Sequence, residues 1–130
     1  KKNRSTMKVH KSEILIFYNP NSTTDRKTLA IAQGLSGNVI TYEFERSTIT
    51  TTMWHRLITM LDVHPKELIN KAHPYYQNNL RGREFDTEDW FNILRNAPYL
   101  IKAPIVVSGN KAIICQNPTD VLKLQQGLTA

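Results

Sequence analysis

The sequence predicts an α/β domain: a βαβ half, a helical insert and a ββα half, giving a four-stranded mixed sheet flanked by helices. Three observations lead there. Two strand-like apolar runs bracket a helix-like segment near the start of the chain. A long middle stretch spaces its apolar residues at three and four. Two more strand-like runs, joined across a glycine, precede a final helix.

Glu13-Ile14-Leu15-Ile16-Phe17-Tyr18 is rich in β-branched and aromatic residues and predicts a buried strand. Asn19-Pro20-Asn21-Ser22-Thr23-Thr24 follows as a turn, since these residues favour local backbone hydrogen bonds or a fixed φ. A helix is expected from about Asp25 to Gly34, with Thr24 as N-cap and Asp25 in the first turn. Leu29, Ala32 and Leu35 share one face, with Ile31 beside it. Asn38 to Phe44 alternates as a second strand. The two strands and the helix between them form a right-handed crossover with parallel strands.

The insert, about 48–98, is expected to be helical. Ile49, Met53, Trp54, Leu57, Ile58 and Leu61 repeat at helical spacing. Pro65 restarts a helix at its first position, and His73-Pro74 ends it. Phe85-Asp86-Thr87-Glu88-Asp89 is expected to open a further helix with a cap and an acidic first turn, with Trp90, Ile93 and Leu94 on its core face and Asn96-Ala97-Pro98 as its stop. Pro104 to Val107 and Lys111 to Gln116 are strands joined by the Ser108-Gly109-Asn110 turn. The last helix is expected to begin at Asn117-Pro118-Thr119-Asp120 and run through about Gln126, with Gly127 ending it. This order of elements is the thioredoxin-like arrangement with helices inserted between its halves. A proline opening a strand is costly except at an edge or special turn. In thioredoxin folds that position carries a cis proline, so Pro104 is a candidate for a cis peptide bond.

Composition narrows the function. The chain has 130 residues, 40% hydrophobic and 22% charged, which suits one soluble domain, expected over 12–130. No apolar run approaches the ~18 residues of a membrane span, and no signal-length apolar stretch follows the basic start, so no membrane partner and a cytoplasmic location are expected. A single cysteine, Cys115, excludes an internal disulfide, a CxxC pair and a multi-cysteine zinc site, and the four histidines show no metal-ligand spacing. The net charge is +6, but Lys1, Lys2, Arg4, Lys8 and Lys11 supply most of it, with no acid among residues 1–11. Those residues read as a basic, flexible tail, with an arm contacting nucleic-acid phosphates as the alternative. The rest of the chain is nearly neutral, so nucleic acid is not the expected partner except through that tail.

One place suggests chemistry: the strand–turn–helix from Tyr18 to Arg26, where a helix start presents free N–H groups that attract anions or activate a thiol. Here the turn holds Asn21, Ser22, Thr23 and Thr24 and no cysteine. Tyr18-Asn19-Pro20 followed by Arg26-Lys27-Thr28-Leu29 resembles the first motif of ArsC-type arsenate reductases and the related Spx-type proteins. Leu100-Ile101-Lys102-Ala103-Pro104-Ile105-Val106-Val107, leading into Gly109-Asn110-Lys111-Ala112, resembles their second, and Leu68-Ile69-Asn70-Lys71 and Asn96-Ala97-Pro98 match the insert. The resemblance covers about 13–125.

What the resemblance implies is a loop cysteine that attacks arsenate and arginines that hold the oxyanion. Carried over by position, the cysteine falls on Ser22, one arginine on Ala103, one on Gln116, and one near Lys66, while the helix-initial Arg26 remains. No catalytic residue is therefore expected. A serine hydroxyl needs a positioned base, and no histidine is near Ser22 in sequence. The expected function is a binding or regulatory module that has lost arsenate reduction. Its ligand site is expected at Asn21, Ser22, Thr23, Thr24, Arg26, Lys66 and Pro104, with no cofactor or metal. A protein partner is expected, as Spx-type relatives bind RNA polymerase; an extended segment beside Ala103-Pro104 is one mode. The alternative is a thiol-linked oxidoreductase using Cys115, with glutathione as co-reactant. Cys115, alternating with Ile114 and Gln116 in a strand, otherwise reads as a small buried hydrophobe.

Overall fold

A computed structural model describes residues 13–45 and 49–124. The apolar run at Glu13–Tyr18 forms β1, and Asn38–Glu43 forms β2. The hairpin is Ile105–Ser108 (β3) and Lys111–Ile114 (β4). The sheet order is β2-β1-β3-β4, with β1 parallel to β2, antiparallel to β3, and β3 antiparallel to β4. The mixed sheet flanked by helices is the one the sequence predicts. Gly109 takes a φ of +60°, which the tight Gly109-Asn110 turn between β3 and β4 requires of its first residue.

β1 is apolar and buried from Ile14 to Tyr18 because it is paired on both edges and covered on both faces. Its alternate side chains divide the core. Ile14, Ile16 and Tyr18 join Ala32, Val106, Cys115, Val121 and Leu124 on one side. Leu15 and Phe17 join Ile105, Val107 and the insert on the other, where Trp54, Leu57, Trp90, Leu94 and Leu100 are buried. Phe17 also stacks on Tyr42 of β2, with ring centroids 4.8 Å apart.

The helix after β1 (α1) spans Thr23–Leu35, two residues earlier than expected at its start. Its N-cap is Ser22 and not Thr24, because the Ser22 hydroxyl accepts the Asp25 N–H three residues on. Gly34 lies inside the helix, and Ser36 caps its end. In the insert, Thr51–Leu61 forms α2, capped by Thr50, and Thr87–Asn96 forms α3. α3 opens on a reciprocal capping box between Asp86 and Asp89.

The helix expected to run from Pro65 to His73 is a single 3-10 turn, Pro65–Leu68, capped by His64. It stops early because the next residues extend into a bridge: the Asn70 N–H donates to the Leu100 carbonyl at 2.7 Å and the Lys102 N–H to the Leu68 carbonyl at 2.8 Å. Pairing across the insert outweighs local helix preference. β4 is shorter than expected, ending at Ile114, so Cys115 follows the strand. The last helix begins as a 3-10 turn, Pro118–Leu122, and its expected continuation past Leu124 lies outside the described residues, as do the basic tail and residue 48. The described peptide bonds are all trans, Ala103–Pro104 included, which corrects the cis expectation; trans is the ordinary preference of an X–Pro bond.

Two substitutions test this packing by urea unfolding. Leu57→Ala, deep in the insert core, is expected to cost about 2–5 kcal/mol. Asp86→Ala, which removes a cap at an exposed position, is expected to cost about 1 kcal/mol. Equal costs would contradict the assignment of the stabilising core to the insert face.

Candidate functional site

The parallel pair β1 and β2 ends on the same side of the sheet, the side where α/β proteins place their ligands. The first loop, Asn19 to Ser22, leaves β1 there and enters α1. Its backbone donors are almost all engaged within the loop. The Asn19 N–H donates to the Asp25 carboxyl at 2.9 Å, and the Asn21 N–H to the Asn19 side-chain oxygen at 2.9 Å. The Ser22 N–H donates to the Asn19 carbonyl, the Asp25 N–H to the Ser22 hydroxyl, and the Arg26 N–H to the Ser22 carbonyl. The first-turn amides of Thr23 and Thr24 are those a helix leaves over.

Asp25 is the residue the sequence reading undervalued. It is expected only as a first-turn acid, yet it is buried, and its carboxyl ties the end of β1 to the start of α1. Burial pushes its pKa above the ordinary aspartate value, while hydrogen bonds from Asn19 and Ser22 act in the opposite sense. The Ser-x-x-Asp spacing of Ser22 and Asp25, a capping pattern, was the available signal.

The other expected site residues are only partly brought together. Asn21, Thr23, Thr24 and Arg26 are exposed around the loop, and Ser22 is half-buried. The Arg26 guanidinium is held by the Pro20 carbonyl at 2.8 Å and the Thr23 hydroxyl at 3.2 Å. Lys66 lies in the insert, its ammonium 5.4 Å from the centre of the Trp90 ring. Ala103 and Pro104 are buried, and the Pro104 carbonyl accepts the Cys115 N–H at 2.8 Å. Gln116 is exposed at the bend after Cys115.

No described histidine serves Ser22. His55 stacks on Phe91 at 4.0 Å, and His64 caps the Pro65 turn and meets the Thr87 hydroxyl. His73 accepts the Tyr75 N–H and packs against Tyr99. Cys115 is fully buried, and its pKa is pushed up to about 12, first by burial and then by the nearby Asp120 charge. A thiol so placed stays protonated near neutral pH and is a poor nucleophile.

A small cleft of about 50 Å³ opens beside the loop, lined by Asn19, Pro20, Asn21, Glu43, Phe44, Glu45 and Tyr99. A more open hollow of about 280 Å³ lies away from the loop, along β4 between Leu61, Val63, Asp120 and Lys123. Among the described residues no cluster of three or more His, Cys, Asp or Glu could hold a metal, and no helix is long and apolar enough to cross a membrane.

The sheet order and the loop at the head of α1 define a protein of the thioredoxin-like class. Comparison with known proteins narrows it. The ArsC family model matches residues 17–124, and this chain belongs to the ArsC family. Among solved structures, an arsenate reductase-type protein from Yersinia pestis shares 28% identity, with a TM-score of 0.71 over 85% of this chain and 99% of that one. An arsenate reductase from Vibrio cholerae has 23% identity and a TM-score of 0.73, covering 87% of this chain and 98% of its own. An ArsC family related protein from Bacteroides fragilis, 16% identical, has a TM-score of 0.71 over 86% and 98%. Among curated proteins no match is found.

Two expectations follow. A raised acid pKa means the folded state holds the proton more tightly, so its contribution is full below about 3.9, the unfolded value, and is lost as pH rises through the folded pKa. The stability of Asp25→Asn relative to the parent should therefore grow between pH 4 and pH 7 in urea unfolding; a gap that shrinks would contradict the burial effect. Cys115 should resist iodoacetamide in the native protein at pH 8 and label at an ordinary thiol rate once unfolded. Rapid native labelling would show an exposed, activated thiol.

Proposed function

We propose that this ArsC-family chain works as a binding or regulatory module for a protein partner and does not reduce arsenate. The observation that carries the reading is the internal closure of the first loop. Its amides at Asn19, Asn21, Ser22, Asp25 and Arg26 bond within the loop, one of them to the Asp25 carboxyl. An oxyanion arriving there would meet a resident acid and few free donors. The surroundings that raise Asp25's pKa also disfavour added negative charge.

The residue types support the same reading. The position of the attacking cysteine holds Ser22, whose hydroxyl accepts an amide, and no described histidine is bonded to it. Ala103 and Gln116 stand where the resemblance places two anion-binding arginines. Arg26 and Lys66 are engaged with Pro20 and Trp90. The reading calls for no cofactor or metal. The second reading, a glutathione-linked oxidoreductase using Cys115, has the buried, protonated thiol against it. Nucleic-acid binding rests on residues 1–11 alone.

The test is an arsenate reduction assay on the full chain with glutathione–glutaredoxin and with thioredoxin as reductant. No turnover above the uncatalysed rate is expected. Sustained reduction that survives Cys115→Ser would overturn the proposal.

A further inference from the structure

Three Xaa-Pro units of the described chain share one arrangement. In Asn19-Pro20-Asn21, His64-Pro65-Lys66 and His73-Pro74-Tyr75, the side chain before the proline accepts the N–H of the residue after it. Proline favours this in two ways. It biases the preceding residue to extended backbone, and His64 has φ −68° and ψ 136°. It also has no N–H of its own, so the next amide is the first that needs a partner. The first loop uses an amide oxygen, which does not titrate near neutral pH. The two insert turns use an imidazole Nδ1 instead, 3.1 Å from the Lys66 nitrogen and 3.0 Å from the Tyr75 nitrogen. A ring nitrogen accepts only while it carries no proton. The bonds thus assign both neutral rings the tautomer with hydrogen on Nε2. That of His64 donates to the Thr87 hydroxyl at 3.2 Å and so ties its turn to the head of α3.

We propose that His64 and His73 are acid-released locks on the insert. A second proton, at Nδ1, turns each acceptor into a donor, frees the Lys66 and Tyr75 amides and loosens the two His-Pro turns. The sheet and the asparagine-capped first loop stay closed. An ordinary imidazole takes that proton between about pH 7.5 and pH 5. The turns so released carry exposed surface of the insert: the Lys66 ammonium lies over Trp90, and His73 packs against Tyr99, which with Tyr75 is exposed. Among the described residues, the charged groups around His64 are Asp62 before it, Lys66 and Glu67 in its turn, and Asp86, Glu88 and Asp89 at the head of α3, which packs on that turn. The carboxylates outnumber the lysine, so their field admits the second proton. Around His73 the charges are Lys71 in its own segment, Arg81 after the π-helical turn Tyr76–Leu80, and Lys102 beyond the Ile69–Ile101 bridge. All three are exposed, where solvent and salt screen them.

The test is NMR of the full ¹⁵N-labelled chain. At pH 7.5, long-range ¹H–¹⁵N spectra of the imidazoles should show hydrogen on Nε2 and a bare Nδ1 in both residues. Water-exchange rates, divided by the unstructured rate at the same pH, give the protection of single amides. From pH 7.5 to pH 5.0 the protection of Lys66 and of Tyr75 should fall about fivefold, the size of effect that one lost hydrogen bond gives. Met53, whose amide donates to the Thr50 hydroxyl, is the internal reference and should not change. Asparagine makes the same bond without titrating, as Asn19 and Asn70 do for the amides of Asn21 and Ala72. His64→Asn should therefore remove the pH response at Lys66 alone, and His73→Asn that at Tyr75 alone, each keeping protection at pH 7.5 within about twofold. Hydrogen on Nδ1 of either neutral ring, constant protection at either amide, an equal fall at Met53, or a response that persists in the matching asparagine variant would each overturn the proposal. The outcome does not depend on what the module binds.

Discussion

The Asp25 carboxyl accepts the Asn19 N–H across the first loop and so joins the residue just after the central strand to the first turn of α1. The bonds of the first loop are arranged around that junction. Ser22 can cap the helix because the Asp25 N–H points back to it. Asn19 and Ser22, in turn, supply the loop's remaining internal bonds. The burial of an acid at this place disfavours its charge, and the hydrogen bonds offset part of that cost. A helix start ordinarily offers donors to an external anion; here the Ser22 and Asp25 amides are taken by Asn19 and Ser22, and those of Thr23 and Thr24 are left over.

Glu43 and Glu45 flank the neighbouring cleft, while Arg26 and Lys66, the retained cations, are bound to a carbonyl and an aromatic ring. The fold of the ArsC family is kept because its determinants lie elsewhere. They are the doubly covered β1, the hairpin turn at Gly109 and the insert core around Trp54, Leu57 and Trp90. None of these requires a cysteine or an arginine at the loop. Scaffold and chemistry are separable, and the scaffold is what this chain shares with its family.

Much of the architecture was legible from residue pattern. β1 and β3 are mainly apolar runs, β2 alternates, and α3 begins within the Phe85–Asp89 entry that the pattern of a cap and an acidic first turn announces. The start of α1 was misplaced because Ser22, Thr23 and Thr24 are all competent caps, and only the backbone path selects Ser22. The Pro65 helix was overextended because its local pattern is helical, whereas Ile69 pairs with Ile101, a partner distant in sequence. The site was less legible for the same reason. The cleft unites three sequence-distant segments, around Asn19, Glu43 and Tyr99, and no spacing rule links them. Cys115 was placed on a strand, but the ladder ends one residue earlier, and its burial comes from the α1 side of the core.

The most direct measurement of the central claim is arsenate or phosphate binding at the first loop, followed through the backbone amides of Thr23 and Thr24 in the full chain at low ionic strength. With the Asp25 carboxyl and the loop's own bonds in place, these amides should move little and without saturation up to tens of millimolar anion. Saturable shifts at those two amides with low-millimolar or tighter affinity, unchanged by Asp25→Ser, would show an open oxyanion site and contradict the account.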